Sequence, residues 1–244
     1  MRFRFLIPIL LVAMTVAAQA DADFDAGNRA YESGKFVEAR GHYEALLARG
    51  QQTANVYFNL GNTNARIGAN GLAILNYERA LALEPSHGEA KANLKFLRDQ
   101  SVAKLPSETW KDRAFGAMKL TGWLVVASAL GWLLVLFVAV PLITSRRRTA
   151  AGIFATILTL FATAYAATGA WFAARELSAA IVIVKQTDAR RAPADRADLA
   201  DVLPLGSKVR WLSERSGWVE CELPDGSRGW VPSASLERVL PSAS

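Results

Sequence analysis

Three consecutive arginines, Arg146, Arg147 and Arg148, separate two 26-residue stretches, Leu120 to Ser145 and Thr149 to Ala174, in which no residue is charged. About 20 apolar residues carry a helix across a bilayer core, so each stretch is long enough to span with some tilt. The short tie makes the spans 120–145 and 149–174 a tight helical hairpin. Clustered arginine beside a span stays in the cytoplasm, which assigns the 146–148 turn to that side and both outer flanks to the other. The rest of the chain is therefore expected to work outside the cytoplasm.

The N-terminus agrees. Arg2 and Arg4 precede an apolar core of 11 residues, Leu6 to Val16, and Ala18-Gln19-Ala20 gives a small-x-small pattern before Asp21. Residues 1–20 read as a cleaved secretory signal, too short in its core to be a third span. The net charge of +6 does not point to nucleic acid. The excess sits in the signal, the juxtamembrane stretch and the arginine turn, whereas residues 174–244 balance at zero. The single cysteine, Cys221, has no partner for an internal disulfide. It shares one face of an extended strand with Val219 and Leu223, as a buried structural thiol would.

Between Phe24 and Asn93 the chain repeats itself at a lag of 34 residues: Phe24/Phe58, Gly27/Gly61, Asn28/Asn62, Gly34/Gly68, Ala39/Ala73, Tyr43/Tyr77, Glu44/Glu78 and Leu47/Leu81. Small residues at 27, 39, 61 and 73 let paired helices approach, and the tyrosines fill the gap to the next pair. Pro85 ends the second unit. This period and spacing resemble the tetratricopeptide repeat. Residues 21–105 are expected to form such a domain, with units 21–53 and 54–87 and a capping helix over 88–99.

Residues 178–240 differ in kind. Short extended runs begin at Ile181, Lys208, Trp218 and Gly229, and Pro224-Asp225-Gly226-Ser227 gives a hairpin signal between the last two. So many short strands in about 60 residues make a small barrel. The succession Gly217-Trp218-Val219, Asp225-Gly226 and Gly229-Trp230-Val231-Pro232 resembles bacterial SH3-like domains. The fold class expected is thus a multidomain chain: helical repeats, a two-helix membrane hairpin and a C-terminal SH3-like β-barrel.

Residues 106–119 link repeats to membrane, with Trp110, Phe115 and Trp123 as expected interfacial anchors and Trp171 and Phe172 at the matching end. Ala151, Ala155, Thr159, Thr163 and Ala167 make a ridge of small residues for helix packing, met by Ala127 and Gly131. No ionisable group lies inside either span, which disfavours an ion pathway.

Catalytic chemistry is not expected. The only histidines, His42 and His87, have no second ligand at metal-binding spacing, and no phosphate loop or nucleophile–base pair is present. No catalytic residue, cofactor or metal is assigned.

Binding is the remaining role. In peptide-binding tetratricopeptide domains the first helix of each unit lines a concave groove; the matching positions here include Phe24, Asn28, Tyr31, Asn55, Phe58, Asn59, Asn62 and Arg66. Asn28 and Asn59 match asparagines that hold a bound peptide in carboxylate-clamp versions. The clamp's cations are replaced by Phe24, Glu89 and Asn93, so a free C-terminus is a poor ligand. In the SH3-like segment Trp218 and Pro232 match two positions of the polyproline groove, Trp230 replaces a tyrosine and Ser235 another. Two of four aromatic ridges do not make that groove. Trp211, Trp218 and Trp230 offer an alternative stacking surface for glycan.

The order signal, tetratricopeptide pair, membrane hairpin with basic turn and SH3-like barrel resembles the E-type proteins of the bacterial aerotolerance (Bat) operon. That resemblance implies an inner-membrane adaptor with both soluble domains in the periplasm. It implies envelope partners, other Bat-family membrane proteins of the von Willebrand A type among them, a link to oxidative-stress tolerance, and an associated cytoplasmic AAA+ ATPase. The lipid bilayer is the other partner. A peptidoglycan-binding tether is the alternative.

Overall fold

The computed structural model describes residues 22–106, 110–115, 118–144 and 149–240, without the side chains of residues 111–113. The expected signal segment and the Arg146, Arg147 and Arg148 turn lie outside the described residues. The chain divides into two compact units, one formed by residues up to Pro106 together with those from Ala179, the other by Ser107–Ser178.

The first unit begins with five helices: α1 (22–32), α2 (Phe36–Ala48), α3 (Ala54–Arg66), α4 (Asn70–Leu83) and α5 (Gly88–Ser101). They form two hairpins and a fifth helix at the period read from the sequence. Gly34 and Gly68, one period apart, take φ of +74° and +79° in the two hairpin turns, a conformation that favours glycine. The other spacing that recurs between the two hairpins concerns contact. A Cβ on Gly27 or on Gly61 would come within 2.7 Å of the Tyr43 or Tyr77 ring respectively. Each tyrosine thus lies on the glycine of its own hairpin. Tyr77 is buried and its hydroxyl is held by Asn62, so its ring cannot swing aside. Gly61→Ala should therefore cost about 1–3 kcal/mol, read as a lower unfolding temperature of the purified protein. The fifth helix runs two residues past the expected cap and stops at Val102, whose φ of +51° is left-handed.

The same unit ends in a seven-stranded antiparallel sheet of order β3-β2-β6-β5-β4-β1-β7. Its strands are β1 (Ala179–Val182), β2 (Gln186–Arg190), β3 (Leu199–Pro204), β4 (Lys208–Arg215), β5 (Trp218–Glu222), β6 (Arg228–Pro232) and β7 (Leu236–Arg238). The inner face buries Val182, Ala189, Leu203, Val209, Val219, Cys221 and Val231. Cys221 is fully buried, and burial, helped by Glu220, pushes its thiol up to about 12.

Helices and sheet are packed together. Ile74, Leu75, Ala80 and Leu97 share one core with Ala179, Ile181 and Val239. Gly71 lies against the main chain of Ile183, and Gly206 against Ile74. Arg79 donates to the carbonyls of Arg238 and Val239 and to the Glu237 carboxylate. Glu78 stands between Arg98, at 2.7 Å, and Lys208, at 3.8 Å. The backbone of Lys104 is clipped to the β3–β4 turn: its N–H donates to Ser207 Oγ and its carbonyl accepts from Lys208 N–H.

The second unit holds α6 (Trp110–Phe115), α7 (Leu120–Ile143) and α8 (Ala150–Glu176). The last two are long and apolar enough to cross a membrane, and most of their surface faces outward. Phe115 and Trp123 are buried rather than presented outward as anchors. Phe115 stacks on Phe172, with ring centroids 5.0 Å apart, and the Trp123 indole donates to the Phe115 carbonyl. Tyr165 donates to the Ala114 carbonyl, so residues of both long helices satisfy the end of α6. Trp110 and Trp171 remain exposed. In the small-residue ridge, Thr159 is buried and Ala155 and Thr163 are half-buried, but Ala151 and Ala167 are exposed. Four residues turn a helix by about 400°, so a strict i+4 ridge drifts off the contact face. The seam shifts instead to Ala166, Gly169 and Ala170, where Trp123 covers Gly169.

Candidate functional site

Two surfaces of the first unit gather the residues selected from the sequence. The first is lined by α1, α3 and α5. Asn28 Oδ1 accepts from the Tyr43 hydroxyl at 2.8 Å and from Asn59 Nδ2 at 2.9 Å. One period on, Asn62 Oδ1 accepts from the Tyr77 hydroxyl at 2.7 Å and from Asn93 Nδ2 at 2.9 Å. Burial raises both tyrosine hydroxyls to about 12, which keeps them protonated as donors. The asparagines therefore tie consecutive hairpins together, and this ladder fixes which way each amide points.

Around the ladder, Phe24 meets Tyr43 edge-on and Phe58 lies between Tyr77 and His87. His87 also caps α5, accepting from Ala90 N–H. Tyr31 packs on Phe36, and the Arg66 guanidinium sits 5.1 Å from the centre of the Phe36 ring. Asn55 is exposed. Of the eight groove residues, Asn28, Asn59, Asn62, Phe24 and Phe58 join the repeated core network. Tyr31 and Arg66 instead gather at Phe36, and Asn55 stands free in solvent. Phe96, 62% exposed, occupies the position one period beyond Asn62 and was not selected from sequence. The 34-residue lag alone carries the signal for it.

The second surface is the outer face of β5 and β6. Trp218 pairs across the ladder with Pro232, and Glu220 with Trp230. All four side chains are half-buried and lie on the face opposite Val219 and Val231. Trp211 does not join them. It pairs with the buried Cys221, which assigns it to the inner face, where the Arg238 guanidinium stacks 4.4 Å from its ring. The three tryptophans do not share one face; Trp218 and Trp230 do.

The joint itself is made by α4, α5, β1, β7 and the β3–β4 turn. No group of three His, Cys, Asp or Glu side chains suited to a metal ion stands together among the described residues. The arrangement offers aromatic and amide contacts, suited to binding.

The family model described as Bacterial SH3 domain matches residues 186–237, from β2 through β7. The chain matches none of the curated proteins compared.

Proposed function

We propose that this chain is a membrane-anchored, non-catalytic adaptor that presents a helical-repeat groove and an SH3 domain on one side of a membrane. The observation that carries this reading is the joint between α4 and the sheet. Segments before and after the two apolar helices belong to one compact unit, so they must share a compartment. The arginine turn between those helices argues that this compartment is the periplasm. The 34-residue period, the glycine–tyrosine contacts and the hairpin turns support assigning the helices as tetratricopeptide repeats. The order of parts supports a place in a Bat-type complex tied to oxidative-stress tolerance.

In the groove, the ladder occupies the Oδ1 atoms of Asn28 and Asn62. Their Nδ2 groups, with the Oδ1 atoms of Asn59 and Asn93, are left to face an extended peptide as alternating donors and acceptors. An envelope protein that lends an internal segment is the partner this chemistry favours. Because Asn28 and Asn59 also hold the hairpins, the test uses exposed residues. Asn55→Ala combined with Phe96→Ala should weaken an envelope partner's binding by about 10- to 100-fold, as losing contacts worth about 1–3 kcal/mol would. The readout is co-purification of the full-length protein from native membranes. An unchanged set of co-purifying proteins would remove the groove from the proposal.

The outward pair Trp218 and Trp230 favours a second reading, in which the SH3 domain holds peptidoglycan. Sedimentation of the same detergent-purified protein with cell-wall sacculi separates the two. Pelleting that is lost in Trp218→Ala would promote the tether above the adaptor.

A further inference from the structure

The end of the first unit that carries the Lys104–Ser207 clip has a geometry that points to lipid. Ser207 is fully buried and works twice: its hydroxyl accepts from Lys104 N–H and its carbonyl accepts from Val182 N–H. Lys208 pairs with Ile181 and donates its N–H to the Lys104 carbonyl. The chain leaving toward α7 and the chain returning from α8 are thus held side by side at one dipeptide.

This junction is on a short leash. Helix α8 ends at Glu176, and Ile181 is already paired to Lys208. Five residues reach at most about 17 Å when fully extended. The Trp171 ring, with the Arg175 guanidinium 4.9 Å from its centre, has the composition of an interfacial anchor one turn before that end. The headgroup region adds only about 5–8 Å to each side of the hydrocarbon core. Ile181, and with it the clip, therefore stays within about 17 Å of the end of α8.

Apolar side chains flank the clip. Val102, whose backbone is left-handed, is 78% exposed, and Leu105 is 45% exposed. Hydrogen bonds on both sides of Lys104 keep these two in place, and Lys104 Nζ is spent on Asp201.

We infer that this end of the unit is a lipid-contact surface: Val102 and Leu105 enter the headgroup–acyl boundary and set the soluble unit on the bilayer. The inference rests on α7 and α8 spanning the membrane.

Because Cys221 is buried and its thiol is raised to about 12, single cysteines placed elsewhere label selectively. Full-length Val102→Cys, Leu105→Cys, Ala48→Cys and Val125→Cys would carry a small fluorophore in vesicles containing lipids brominated along the acyl chain. Val125, exposed on α7, reports insertion of the spans, and Ala48, exposed on α2, reports water. Lipid quenching at 102 and 105 several-fold above that at 48 is the expected result. Iodide quenching at 102 and 105 equal to that at 48, with Val125 reached by brominated lipid, would overturn the contact and leave the spans standing. Protection of 102 and 105 from both quenchers would mean that protein covers them, and would overturn it too. If the label at 125 escapes the lipid quencher, the membrane reading itself fails.

Discussion

Gly71→Ala should weaken the joint between the repeats and the SH3 domain, while the same change at Gly41 should strengthen the chain. A Cβ at Gly71 would lie 2.1 Å from the Ile183 carbonyl oxygen and 2.6 Å from its carbon. These are backbone atoms at the end of a paired strand, so relief requires the sheet to move off α4. Overpacking of this kind costs about 1–3 kcal/mol, occasionally more. Gly41 lies inside α2 with nothing within 4 Å of its added Cβ. There alanine removes the backbone-entropy cost of a helical glycine, worth roughly 0.5–1 kcal/mol. Thermal unfolding of the purified full-length variants should thus shift in opposite directions. A Gly71→Ala protein as stable as the parent would show that Ile183 does not rest on α4.

The position of that joint was legible by lining up the two hairpins, though similarity alone hides it. Val37, Arg40, Gly41 and Ala45 of α2 correspond at the 34-residue lag to Gly71, Ile74, Leu75 and Arg79 of α4. The exposed or half-exposed face of α2 becomes, in α4, a notch, two fully buried aliphatics and an arginine aimed at β7. Identities revealed the repeat; the differences mark what docks on it. The strands around Asp225-Gly226 were equally readable, because Val219, Cys221 and Val231 alternate with large outward residues. β2 and β3 were not. Inside β2 only Thr187 and Ala189 are buried, and β3 carries Asp201 and Pro204, so neither shows the β-branched alternation that marks a strand. Trp211 was grouped with Trp218 and Trp230 by residue type. Its parity with the inward Val209 already assigned it to the other face. The asparagines were recognised as groove positions, but their bonding to tyrosines 15 residues on needs the hairpin closed, which no local pattern contains.

Glu78 should be far more sensitive to replacement than its repeat counterpart, Glu44. Its lag partner Glu44 is an exposed residue on α2, paired loosely with Arg40 at 3.6 Å. At Glu78 the docked sheet shuts out solvent, leaving the side chain 13% exposed between Arg98 and Lys208. Burial by itself would raise the carboxyl's pKa; Lys208 and Arg98 together outweigh it and hold the group below its ordinary value. A carboxylate depressed in the folded state contributes stability that is present above its unfolded pKa, about 4.3, and lost as pH falls through the folded value. The joint should therefore loosen under acid, from about pH 4 downward. Removing the carboxylate has the larger effect. Glu78→Leu strips the nearly buried Arg98 and the half-buried Lys208 of their shared carboxylate, and the loss should approach the roughly 3–5 kcal/mol of breaking a buried pair. Glu44→Leu, which breaks an exposed pair, should cost under about 1 kcal/mol. Lys208→Leu in the Glu78→Leu background should recover part of the loss, since only one of the two cations at the site then remains. Urea unfolding of the four proteins measures all of this together. Equal midpoints for Glu44→Leu and Glu78→Leu would mean that Glu78 is solvated, and that the helices and the sheet are not joined at the Arg98–Lys208 cluster.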